Sequence, residues 1–165
     1  MTPELYRPVA TDRIGPDGID LTVDATAAEC AALAERMQVP AVLSLSCHYH
    51  LTRSPAPGGI EARGRLRARV VQTCVVSLDD FEAAVEEDFA VRFVPAGQES
   101  DAVDPESEDE IPFDDGVIDL GEAAAEQLGL ALDPYPRQRG AELPDQVADE
   151  KPHPFAALAG RRHPN

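Results

Sequence analysis

The chain has no tryptophan, and aromatic residues make up only 5% of its 165 positions, so its core must be built from Val, Leu and Ala. Aromatic platforms for stacking on nucleic-acid bases are equally scarce. Positive charge is in short supply too: 14 Lys and Arg face 31 Asp and Glu, a formal charge of −17. A field of that sign opposes DNA, RNA and anionic lipid, and it attracts a basic partner. Three cysteines cannot all pair, and none lies in a Cys-x-x-Cys unit, which fits a reducing compartment. No apolar run approaches the ~20 residues that span a bilayer. The opening MTPELYRPVATDR lacks the apolar stretch of a secretory signal. These absences predict a cytoplasmic protein with no membrane contact. Gly-x-Ser-x-Gly, phosphate loops, dinucleotide fingerprints and His-Glu-x-x-His are all missing. Nothing marks an enzyme, a bound cofactor or a small-molecule substrate.

What remains has clear periodicity. The segment "DATAAECAALAERM" predicts a helix over residues 24–37: Thr26 and Glu29 have capping-box spacing, with Asp24 as a rival cap. Cys30, Leu33, Ala34 and Met37 form its buried stripe. In "VLSLSCHYHLTR", Leu43, Leu45, Cys47, Tyr49 and Leu51 alternate with Ser44, Ser46, His48, His50 and Thr52, the pattern of a half-buried strand. Gly58-Gly59 turns the chain into a second strand, alternating through Leu78 with Gln72 as the one misfit on its apolar face, where a bulge would be accommodated. A two-residue turn at Asp79-Asp80 would pair Leu78 with Phe81 on the inner face. Phe81, Val85, Phe89, Val91 and Phe93 then read as a third strand, with a helix over residues 80–89 as the competing reading. Residues 97–115, with nine acids and no Lys or Arg, predict a mobile acidic loop. "IDLGEAAAEQLGLAL" predicts the second helix, residues 119–132, capped by Asp119 and ended by Asp133-Pro134-Tyr135-Pro136. The expected fold is α+β: an antiparallel sheet of three or more strands against two main helices. Residues 1–150 are expected to form one domain, with residues 151–165 as an extended C-terminal tail holding the apolar patch "PFAALAG".

Two features carry the question of chemistry. Cys74 lies among Val70, Val75 and Val76 with Ser77 at the spacing of a second metal ligand. It lacks the four Cys or His ligands of structural zinc and the cationic surroundings of a reactive thiol, so it reads as core. His48 and His50 face away from Cys47, and the acidic loop lacks calcium-loop spacing, so no metal site is expected. The second feature is an arginine ladder. Arg63, Arg65, Arg67 and Arg69 share one strand face, and the expected register places Arg92 opposite Arg67. These five are a candidate partner-binding surface for phosphate or carboxylate. The competing reading pairs them internally with acids of the 97–115 loop or of a helix.

Three stretches together resemble the YceD family, linked to accumulation of large-subunit ribosomal RNA in bacteria and plastids. They are "VVQTCVVSLDDFEAAVEEDFAVRFVP", "IDLGEAAAEQLGLALDPYPR" and "KPHPFAALAG". The second is the most specific, and the alternation and "DPYPR" ending look most like the alphaproteobacterial branch. Many relatives carry Cys-x-x-Cys where this chain has Cys74 and Ser77, with further cysteines after the helix, and have been suspected of binding metal. Here Ser77 and Asp133 to Arg137 replace them. The resemblance implies a non-catalytic role in large-subunit biogenesis, with a basic large-subunit ribosomal protein and/or rRNA as partner. The alternative it leaves open is a direct RNA-binding or RNA-processing protein, with enzymatic activity among the options.

Overall fold

Thr26 wins the competition for the first helix cap because Asp24 is held in a strand opposite Ser46. The computed structural model describes residues 3–99 and 108–142. Both halves of the capping box are made: Glu29 N–H donates to Thr26 Oγ1, and Thr26 N–H donates to Glu29. Helix α1 (Ala27–Met37) ends at Gln38 in the left-handed region, just before Pro40. Helix α2 (Leu120–Ala131) is capped by Asp119, whose carboxylate accepts from the N–H groups of Gly121 and Glu122. These caps satisfy donors that a helix start otherwise leaves orphaned.

The strands in chain order are β1 (Pro8–Ala10), β2 (Ile19–Asp24), β3 (Ala41–Arg53), β4 (Ile60–Thr73), β5 (Asp80–Pro95), β6 (Asp109–Phe113) and β7 (Val117–Asp119). Among the described residues, β2-β3-β4-β5-β6 form one five-stranded sheet, and β1 and β7 form a separate antiparallel pair. The α+β class is as expected. The sheet, however, is mixed: β6 runs parallel to β5, pairing Asp109–Phe113 with Val91–Pro95. This also corrects the loop reading of residues 97–115, because Asp109–Phe113 is a strand despite its acids. Ala96 N–H donates to Phe113 O, so Ile111 and Phe113 aim their backbone groups at β5 and Pro112 faces away from it, where its missing N–H breaks no bond of the β5–β6 ladder. Residues 100–107 of that segment and the 151–165 tail, including "PFAALAG", lie outside the described residues.

The predicted parity of the faces holds, with two local exceptions. Leu45, Cys47, Tyr49 and Leu51 on β3 and Leu66, Ala68 and Val70 on β4 are buried, and they join Leu33, Ala34, Leu120, Ala124 and Leu128 of the helices in one core. Leu43 leaves this face because a bulge between Val42 and Ser44 turns it out, 46% exposed, and Val42 takes the buried position. Leu78 is the larger correction. β4 ends at Thr73, and residues 74–79 make the connection to β5, with Leu78 left-handed and 76% exposed. Phe81 therefore pairs with Gln72, six positions from the expected Leu78. There is no bulge at Gln72, which stays in register and buried, and its amide donates to Asp133 O.

Gly64 marks a close approach across the sheet. It pairs with Tyr49 on one side and Phe89 on the other, and a Cβ there would fall 2.2 Å from the Phe89 ring. The ring covers the gap and meets Tyr49 edge-on, centroids 5.7 Å apart. Tyr49 also donates its hydroxyl to Leu120 O, tying this row to the start of α2.

Candidate binding face

The sheet face opposite the core is a set of charge columns, one per strand. β2 contributes Asp20, Thr22 and Asp24, and β3 contributes His50, His48 and Ser46 opposite them. β4 contributes Arg63, Arg65, Arg67 and Arg69, and β5 contributes Ala90, Asp88, Glu86 and Ala84 opposite those arginines. The candidate arginines therefore do share one exposed face, with Arg92 farther along β5.

Their partners differ from the expected ones. Arg92 stands opposite Glu61 and Arg67 opposite Glu86, so the predicted Arg67–Arg92 juxtaposition is absent. Arg65 grips Asp88 with two bonds, Nε to Oδ1 at 2.6 Å and a second guanidinium nitrogen to Oδ2 at 3.1 Å. That contact raises the Arg65 pKa and lowers that of Asp88. Arg69 Nε donates to Glu82 at 2.6 Å, and Arg67 lies 3.5 Å from Glu86. Arg92 reaches Glu108 at 3.9 Å and Glu110 at 3.6 Å, and its buried Nε has no hydrogen-bond partner among the described residues. The internal-pairing reading thus describes four of the five arginines. The carboxylates come mostly from β5 rather than from the 97–115 segment, which supplies only the partners of Arg92.

Arg63 is different. It faces His50 and Ala90, and among the described residues it has no carboxylate partner. His50 and His48 converge on Asp20, at 2.9 and 3.6 Å, and His48 Nδ1 also lies 3.2 Å from Thr22 Oγ1. An open cavity of about 500 Å³ is bounded by His48, His50, Arg63, Arg65 and Asp88.

Cys74 sits at the end of β4 in the β4–β5 connection. Its side chain is buried, but its surroundings are polar. Hydrogen bonds from the Ser77 side chain, then from the N–H groups of Ser77 and Gln138, lower its pKa to about 7. Burial instead raises the pKa of Cys47, to about 11, and that of Cys30. Val75 N–H donates to Pro136 O, so residues 133–138 are strapped across this connection. Sequence reasoning missed the strap: the valines around Cys74 imply an apolar site, and nothing local places Gln138 beside the sulfur.

The family model described as "Large ribosomal RNA subunit accumulation protein YceD" matches residues 62–160, more than half of the chain. The chain belongs to the YceD family. No curated protein and no solved structure matches it. The YceD match spans the arginine ladder of β4, all of β5, helix α2 and the strap after it. The family description ties the protein to accumulation of the large ribosomal RNA subunit. Among the described residues, no helix is long and apolar enough to cross a membrane.

A metal at the Cys74 position does not fit these residues. Ser77 occupies the place of a second thiolate and bonds to the sulfur, and the strap brings a backbone N–H from Gln138. Among the described residues, no group of three or more His, Cys, Asp or Glu is arranged to hold a metal ion. One thiol among hydrogen-bond donors is a poor zinc site.

Proposed function

We propose that this protein is a non-catalytic, cytoplasmic binding factor in large-subunit biogenesis, and that it supports rRNA accumulation by engaging a basic large-subunit ribosomal protein. The observation that carries the choice of partner is the neutralisation of the arginine ladder. Arg65, Arg67 and Arg69 already meet Asp88, Glu86 and Glu82, so the face offers alternating ion pairs in place of a cationic track. With a net charge of −17, long-range attraction favours a basic protein over RNA. Holding such a protein would keep it off nonspecific RNA until delivery.

A second reading, direct contact with rRNA, is favoured by Arg63 beside His48 and His50. There the face presents, among the described residues, one unneutralised guanidinium beside an open cavity, a seat for a single phosphate.

Affinity capture from cells at moderate salt, with and without nuclease, tests the two readings. Recovery of a basic large-subunit protein that survives nuclease supports the first. Recovery that disappears with nuclease, and weakens on Arg63→Gln, replaces it with the second. Capture of neither class rejects both.

A further inference from the structure

Among the described residues, the backbone of β5 is paired on one side along all but its last two residues and on the other side only at its end. β4 pairs with residues 80–93, whereas β6 pairs with residues 91–95 alone. Among the described residues, nothing pairs with residues 80–90 on that second side. Two hydrogen bonds establish which residues face the open side. Cys74 N–H donates to Asp79 O at 2.8 Å, which makes the odd-numbered residues of β5 the ones bonded to β4 in this register. Ala96 N–H donates to Phe113 O at 3.0 Å, so even-numbered residues point toward the β6 side. Asp80, Glu82, Ala84, Glu86, Asp88 and Ala90 therefore direct their N–H and C=O groups outward.

Such an edge is a template for another strand, and its side chains specify which strand. On the charged face the columns run acidic on β2, imidazole on β3, basic on β4 and acidic on β5. A strand added beside Glu82, Glu86 and Asp88 continues that alternation if its residues on this face are Lys or Arg. A second copy of this chain would set acid against acid, which directly opposed strands disfavour. On the core-side face, Phe81, Ala83, Val85 and Phe89 are half-buried, so apolar residues at alternate positions would cover them. Glu87 interrupts that stripe and stays exposed, a charge that deters purely apolar strands.

We propose that the open edge of β5 over residues 80–90 binds an extended segment of alternating apolar and basic residues from the partner protein, by strand addition. The identity of that partner as a basic ribosomal protein rests on the function proposed above; the edge itself does not.

The test uses the full chain and a synthetic peptide of alternating Val and Lys. Binding should slow amide hydrogen exchange at Glu82, Ala84, Glu86 and Asp88 and leave the odd-numbered amides, already bonded to β4, unchanged. Ala84→Pro removes one outward donor without breaking the β4 ladder, and should weaken binding about tenfold, as expected for one or two lost backbone hydrogen bonds. A peptide N-methylated at alternate residues gives the same information without altering the protein, and should not bind. Protection elsewhere, equal affinity of the methylated peptide, or protection of the even-numbered amides in the free chain would overturn the proposal, the last because the chain would be covering its own edge. Capture of a basic ribosomal protein equally by wild type and a folded Ala84→Pro variant would reject the edge and leave the proposed function standing. Peptide binding at the edge with no ribosomal protein captured would do the reverse.

Discussion

Two groups of arginine–carboxylate pairs stand in this protein, and they differ in what they hold together. Arg7 grips Glu29 with two bonds at 2.8 and 2.9 Å and also donates to the carbonyls of Tyr6 and Asp24. Arg36 joins Glu4 to Glu122, so one side chain links the N-terminal segment, α1 and α2. These side chains are about a third exposed or less. On the sheet, Arg65 and Asp88 are 62% and 68% exposed, and Arg67 and Glu86 are 63% and 71% exposed. The first group connects elements that share no backbone ladder. The second decorates two strands already joined along their length. Identical chemistry thus acts as a clamp in one place and as an exchangeable surface in the other, because solvent screening and redundancy decide what a pair is worth.

The largest effect should come from the clamp's backbone seat. A Cβ on Gly121 would lie 2.4 Å from Leu5 O, where the N-terminal segment presses on α2. Because that neighbour is backbone, Gly121→Ala cannot be relieved by a rotamer change. It should cost about 1–3 kcal/mol, the usual range for forced overpacking, read by denaturant unfolding. Stability within about half a kcal/mol of wild type would show that the clamp is loose.

Next is the Arg7–Glu29 pair. Arg7→Met keeps much of the side-chain volume and removes the charge. Discounted for partial exposure, it should cost on the order of 1 kcal/mol, between exposed and buried pairs. Its signature is pH dependence. The Arg7 hydrogen bonds, then the N–H of Thr26, lower the Glu29 pKa from 4.5 to about 2. A carboxylate with a depressed folded-state pKa contributes fully above its unfolded value, and the contribution falls away as pH drops through the folded one. The stability of wild type should therefore decline between pH 4.5 and about 2 more steeply than that of Glu29→Gln. Parallel profiles would remove Glu29 from the clamp.

How much of this was readable from the chain depends on how local each signal is. Thr26 and Glu29 lie three residues apart, so the capping box could be read directly, as could the Asp119 cap. Strand faces were readable because alternation has period two. That same period hides register: pairing Phe81 with Gln72 instead of Leu78 is a shift of six, an even number, which leaves the paired residues of β4 and β5 on their predicted faces. The arginine partners follow from register alone, so an error that left the core intact moved Arg67 from beside Arg92 to beside Glu86. The six-residue connection arises from contacts of Cys74 with Ser77 and Gln138, and the latter is a long-range contact with no sequence period. β6 was missed because its acids mask a short strand that, among the described residues, is paired on one side only.

The smallest expected effect gives the comparison its sharpest test. Arg65→Gln with Arg67→Gln removes two ladder cations without placing like charges beside Asp88 and Glu86, as glutamate would. If the ladder is redundant for folding, the melting temperature near neutral pH should move by no more than about 2 °C. Partner affinity should change in a direction that separates the two proposed readings. Losing two cations frees two carboxylates on β5, so a basic protein should bind at least as tightly, and with steeper salt dependence. RNA should bind more weakly, with a shallower salt slope, because fewer phosphates are neutralised. A large drop in melting temperature would place the ladder with the clamp. Unchanged affinity and unchanged salt slope in a folded variant would take the arginine face out of recognition and leave the β5 edge to be judged on its backbone alone.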